Sequence, residues 1–169
     1  MASETIIEVR VQRHVITSER PVSDVIDGIY SGISRPDIGV LLGKLETSGS
    51  YDQFSSLVRE AQGSAGLMRF MELDLGVGLG LDTQSPGEAG RLVRLIAGNP
   101  VTLEEMARHV PDAGSYAPIT ILIQELPGKG SRVAYDSMVS ALAPYHSAAA
   151  SQVAERLDAE VLTLLRQVT

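Results

Sequence analysis

The sequence predicts an α+β fold: a mainly antiparallel sheet of four to five strands covered by helices, in strand-helix-strands-helix order, with a long C-terminal helix. Three observations carry this expectation. Residues 7–15 alternate apolar and polar side chains with period two, and a stripe with helical spacing follows directly. Residues 119–126 and 132–136 flank Pro127-Gly128-Lys129-Gly130, the clearest hairpin in the chain. Val153, Leu157, Val161, Leu164, Leu165 and Val168 fall on one face of a helix, interleaved with Glu155, Arg156, Asp158, Glu160 and Arg166.

Taken in order, residues 7–15 form the first strand, with one face buried. After the Pro21 break, Val22, Val25, Ile26, Ile29, Tyr30 and Ile33 recur at three- and four-residue spacing, which predicts a helix packed on the sheet. Gly28 and Gly32 on that helix point to close helix–sheet packing rather than to a ligand. Residues 34–66 have weaker patterning and predict one or two short helices, with Ser50 as an N-cap. Residues 67–75 form a strand in which Leu67, Met71, Leu73 and Leu75 share a face with Arg69. Gly76 to Leu81 continues or bends that strand, because glycine weakens a strand interior. Residues 82–90 form a loop and 91–97 another strand, stopped by Gly98-Asn99-Pro100. Thr102 and Glu105 then form a capping box that starts a helix reaching His109.

Composition narrows the function classes. A chain of 169 residues is one domain's length and buries a full core on folding, so a single domain over residues 1–169 is expected. The net charge of −7 is spread along the chain, which argues against nucleic-acid partners and against anchoring on anionic lipid. Without cysteine there is no disulfide scaffold, zinc-thiolate site or thiol nucleophile. The start of the chain lacks a basic stretch followed by an apolar one, and no apolar run reaches the roughly 18 residues of a membrane span. A cytoplasmic protein is expected. Twelve arginines against two lysines suggest a bacterial source with a GC-rich coding bias.

The motif search is mostly negative. Gly76-x-Gly78-x-Gly80 lacks the spacing of a dinucleotide fingerprint, and Gly128-Lys129-Gly130-Ser131 lacks the rest of a phosphate loop. His14, His109 and His146 lie in separate elements, so no metal and no cofactor is expected. Glu104 and Glu105 are explained by capping and by the helix dipole. Two constellations stand out. Asn99, the only asparagine, sits where its amide can fix a turn or meet a ligand. Arg69 lies on an otherwise apolar strand face, and Tyr135-Asp136 lie on the hairpin. A guanidinium on a buried face must either pair with a carboxylate such as Asp136 or line a cavity that takes an anion.

Leu95-Ile96-Ala97-Gly98-Asn99-Pro100, Met106-Ala107-Arg108-His109, Gly114-Ser115-Tyr116-Ala117-Pro118, Val133-Ala134-Tyr135-Asp136 and the later Leu157-Asp158 resemble the domain of unknown function 302 family. The likeness spans residues 6–168 and is weakest over 34–66, which reads as an extended helical insertion. It implies a strand, a helix, four strands and a C-terminal helix in a TATA-binding-protein-like arrangement, and association as dimers. Asn99, His109, Tyr135 and Asp136 match its motif positions, but the resemblance implies no reaction.

Three functional readings follow. The first is a small-molecule-binding or accessory module, with Arg69, Asn99, His109, Tyr135 and Asp136 as ligand-binding candidates and a small apolar or anionic ligand. The second is a cofactor-independent enzyme with His109 or Glu105 as general base and Tyr135 as partner. The third is a structural dimer that recruits another protein. A homodimer is expected in any case, because a sheet covered on one face leaves the strand at 68–75, with Val77 and Leu79, in need of cover.

Overall fold

The computed structural model describes residues 1–82, 90–128 and 130–169. Of the loop expected over 82–90, residues 83–89 lie outside the described residues, as does Lys129 of the hairpin turn. The strands are β1 (Arg13–Ser18), β2 (Met68–Asp74), β3 (Leu92–Gly98), β4 (Ile119–Glu125) and β5 (Ser131–Asp136). They form one five-stranded sheet in the order β1-β5-β4-β3-β2, and every neighbouring pair is antiparallel. The helices are α1 (Val22–Gly32), α2 (Ile38–Glu46), α3 (Tyr51–Ala61), α4 (Gly76–Asp82), α5 (Pro100–Ala107), α6 (Met138–Leu142) and α7 (Ala148–Val168). The predicted α+β class, the antiparallel sheet and the long C-terminal helix are all present.

Alternation decides which face of the sheet is covered. Val93, Leu95 and Ala97 of β3, Ile119, Ile121 and Ile123 of β4, and Val133 and Tyr135 of β5 are buried in one core. The opposite wall of that core comes from Val25, Ile26 and Ile29 of α1 and Leu157, Val161 and Leu165 of α7. Both helices carry the apolar stripe that their sequences predict. A second, smaller cluster joins Leu41 and Leu45 of α2, Val58 of α3 and Met68 of β2. Caps mark the helix starts: Asp37 Oδ1 accepts from Val40 N–H at 3.0 Å, and Ser50 Oγ accepts from Gln53 N–H at 3.2 Å, as expected for Ser50.

Four local expectations are corrected. The first strand spans Arg13–Ser18 rather than residues 7–15, because its partner β5 runs only from Ser131, opposite Ser18, to Asp136, opposite Arg13. Among the described residues no strand pairs with residues 7–12, whatever their alternation. Gly76–Asp82 is helical, not an extension of β2: Leu75 N–H makes the last contact, to Leu92 C=O at 2.7 Å, and beyond it β3 offers no ladder. The helix after Gly98 starts three residues earlier than the capping box predicts, with Asn99 as its cap in place of Thr102 and Pro100 in the first turn, so Thr102 lies inside the helix. A bulge between Arg69 and Met71 swaps faces within β2: Arg69 registers with buried Ala97, whereas Met71 and Leu73 register with Ile96 and Arg94 on the uncovered face.

Leu157 is 3% exposed and Val161 fully buried at the centre of the α7 stripe. Leu157→Ala should lower the unfolding free energy by about 2–5 kcal/mol, read from the urea midpoint at unchanged slope.

Candidate functional site

Glycines let α1 and α7 approach closely. A Cβ on Gly28 would lie 2.8 Å from Val168 Cβ, and one on Gly32 would lie 2.7 Å from Leu164 Cδ1. The close packing expected of these glycines therefore occurs between helices, not against the sheet. Beside this seam, residues 61–67 fold back on the end of α1. Ala65 N–H donates to Gly32 C=O at 2.8 Å, Ser34 N–H to Leu67 C=O at 3.2 Å, and Arg69 N–H to Ser34 C=O at 2.9 Å. Gly63 must be glycine here, because a Cβ would come within 2.6 Å of Ser34 N.

The two helices and the returning turn enclose an open groove of about 870 Å³. Its apolar lining combines the small residues Gly28, Gly32, Ala65 and Ala159 with Leu164 and Val168. Its polar groups include Gln62 and Ser64 from the turn, Glu160, Thr163 and Gln167 from α7, and Arg20 near the start of α1. Asn99 braces this wall from behind. Its Nδ2 donates to Gln62 Oε1 at 2.7 Å and to Gly66 C=O at 2.8 Å, while its Oδ1 caps α5 through Val101 N–H at 2.9 Å. Gly66 has φ +73°, and a Cβ there would sit 3.5 Å from Glu160 Oε2. Burial raises the Glu160 carboxyl above the ordinary carboxylate range, against the opposing pull of Arg156. Among the described residues Glu160 has neither a hydrogen bond nor an ion pair, since the Arg156 guanidinium is bonded to Glu105.

A second polar centre is closed. Asp158, 8% exposed, accepts from Tyr135 Oη at 2.6 Å, Ser137 Oγ at 2.6 Å, Met138 N–H at 2.8 Å and Val139 N–H at 3.2 Å. It caps α6 from α7 and ties β5 to both. Burial and the Asp158 carboxylate raise the Tyr135 hydroxyl pKa strongly.

The five sequence candidates do not converge. Tyr135 is buried on Asp158, and Asp136 is at the far end of the outward hairpin strand, paired with Arg13 at 2.6 Å. That hydrogen bond holds the Asp136 carboxyl below its usual range. Arg69 takes Glu72 as its carboxylate, at 3.8 Å, and not Asp136; both lie beside Tyr30, whose hydroxyl donates to Glu72. His109 is exposed after α5. Asn99 alone touches the groove, through its wall. The sequence gives Asp158 and Glu160 no site role: both read as polar positions of an amphipathic helix, with Asp158 also part of the motif that carries the resemblance. Asp158 was detectable, because it shares the face of Ala154, Val161 and Leu165. Glu160 carries no such local signal, because its position beside the groove depends on Gly66 from the returning turn.

Known proteins support the architecture. The family model described as domain of unknown function DUF302 matches residues 43–166. A crystal structure of an uncharacterized conserved protein DUF302 from Bacillus stearothermophilus is similar with a TM-score of 0.62 at 12% identity, covering 93% of this chain and 98% of that one. At that identity the likeness concerns the fold alone. No curated protein matches the sequence.

Tyr135→Phe removes one hydrogen bond to a buried carboxylate and should cost about 1.5–3 kcal/mol near neutral pH. A raised folded pKa means that this contribution is full below the unfolded tyrosine value of about 10 and fades as pH rises past it. The stability gap between wild type and variant, measured by urea titration, should therefore narrow above about pH 10.

Proposed function

This chain belongs to the family described as domain of unknown function DUF302, and from that premise we propose that it is a small-molecule-binding module that works as a homodimer. One observation carries the binding reading: the groove between α1 and α7 is large, lined about as much by polar as by apolar groups, and braced by Asn99 without Asn99 entering it. Its volume falls in the roughly 300–1,000 Å³ range typical of small-ligand sites. Gly28 and Gly32 are filled by Val168 and Leu164 at the seam, so the groove runs beside the closed helix pair, and at Gly66 no side chain covers the Glu160 carboxylate.

The enzymatic alternative gains less from the same geometry. Tyr135 is committed to Asp158, Glu105 to Arg156, and His109 stands apart in solvent, so a base and its partner do not share a pocket.

The dimer reading is supported by the uncovered face of the sheet. Leu73, Arg94, Leu122, Ala134 and Val15 form one row across all five strands, and Val15, Met71 and Leu73 are 47%, 49% and 38% exposed. Five strands at about 4.8 Å spacing and some 23 Å of strand length give a face of roughly 550 Å². A stable interface needs about 800 Å² per partner, so further surface must join this face in the contact. A second copy presents the same row under a two-fold axis, with apolar Val15, Leu122 and Leu73 around the exposed Arg94.

Light scattering at micromolar concentration should give twice the protomer mass, and Leu73→Asp should reduce it to one protomer. A monomer mass for the wild type sinks the dimer. In a thermal-shift screen of metabolites, a ligand at 100 times its Kd should stabilise by about 2.7 kcal/mol, and Thr163→Trp, which fills the groove from an exposed position, should abolish the shift. A shift that survives Thr163→Trp sinks the groove as the binding site.

A further inference from the structure

Resting on the binding reading above, we infer that the groove takes an organic ammonium ion, with the cationic nitrogen held by Glu160 and an aliphatic portion lying along the seam between α1 and α7. Glu160 is a half-buried carboxylate with no hydrogen bond and no ion pair among the described residues, and it faces the open groove. A carboxylate kept partly out of water without a partner is destabilising, and a ligand ammonium supplies the missing charge. Arg156 exerts only a longer-range pull on Glu160, because its guanidinium is bonded to Glu105, whose own charge opposes that pull. The raised carboxyl of Glu160 is the expected signature of that unmet charge.

The neighbouring groups fit the same ligand. Thr163 lies three residues along α7 from Glu160 and so on the same side of the helix. Gln62 has its carbonyl oxygen occupied by Asn99 Nδ2, which fixes the amide so that its NH2 is the free end, a donor for an acceptor on the ligand. Gly28, Gly32 and Ala159, with Leu164 and Val168, offer an apolar lining suited to methylenes. Gly28 meets Val168 and Gly32 meets Leu164, so the seam runs antiparallel along α7, and Arg20, ahead of Gly28 in sequence, sits at the end far from Glu160. From residue 160 to residue 168 is about 12 Å along the helix axis. The two ends of the groove therefore carry opposite charges, Glu160 at one and Arg20 at the other, and a ligand with an ammonium and a carboxylate at its two ends satisfies both. Arg69, which from sequence suggested an anionic ligand, is not among the groove residues.

The test uses three six-carbon probes on the full chain, followed by NMR at the Gln62 side-chain amide and the Gly66 and Thr163 backbone amides: hexylamine, 6-aminohexanoate and hexanoate. Hexylamine and 6-aminohexanoate should shift these signals in the wild type, and hexanoate should not. Glu160→Gln keeps the side-chain shape and should weaken both amines at least about tenfold, with an unchanged amide spectrum elsewhere reporting an intact fold. Two results overturn the ammonium inference while leaving the binding reading in place: hexanoate shifting the same signals as strongly, or Glu160→Gln retaining the amine affinity. If neither the probes nor any metabolite of the screen moves the groove signals, the inference and the binding reading fall together.

Discussion

The buried carboxylate of Asp158 is the constraint on which the rest of the structure depends. Four donors from β5, from the turn after it and from the first turn of α6 converge on one side chain of α7. A carboxylate at that depth is tolerated only because its lone pairs are occupied. In return it sets the position of the long helix along its axis relative to the sheet. That placement puts Leu157, Val161 and Leu165 over the core strands, and Leu164 and Val168 against the glycines of α1. The groove is a consequence of the same placement, because its α7 wall begins immediately after Asp158.

Two kinds of polar group therefore lie side by side on α7. Asp158 is saturated and closed, so its chemistry is spent on architecture. Glu160, two residues on, points to another side of the helix, where it lines the groove. A helix places residues two apart on different faces, and this separates a structural carboxylate from an available one at minimal sequence distance. Asn99 mediates between α5 and the groove in a similar way, using its carbonyl for a helix cap and its amide to hold Gln62 and Gly66.

The opposite face of the sheet follows a different logic. Among the described residues no helix lies across its centre, although α2 and α3 shield Met68 at its margin. The bulge in β2 turns Met71 and Leu73 out to this face while keeping Arg69 and Glu72 on the other. A single extra residue in one edge strand thus decides both which apolar side chains reach the open face and on which face the half-exposed Arg69–Glu72 pair lies.

Periodicity made most of the fold legible. The apolar stripes of α1 and α7, the β4–β5 hairpin and the Ser50 cap needed only local sequence, because each depends on spacing within one element. Four features needed the tertiary structure, for one reason: they depend on what lies opposite. The alternation at residues 7–12 is that of a strand, but β5 ends before it can pair with them. Gly76 to Asp82 leaves the sheet because β3 starts too late to extend the ladder. Arg69 found Glu72 rather than Asp136 because β3 and β4 stand between β2 and β5. Gln62, Asn99 and Glu160 come from separate elements and meet only when the 61–67 turn closes on α1. The sequence by itself determined the fold class, the core stripes and the absence of thiol chemistry, since these follow from side-chain type and spacing. Strand ends, the bulge and the groove were decided by tertiary packing, since a backbone ladder or a desolvated carboxylate takes its energy from a partner distant in the chain.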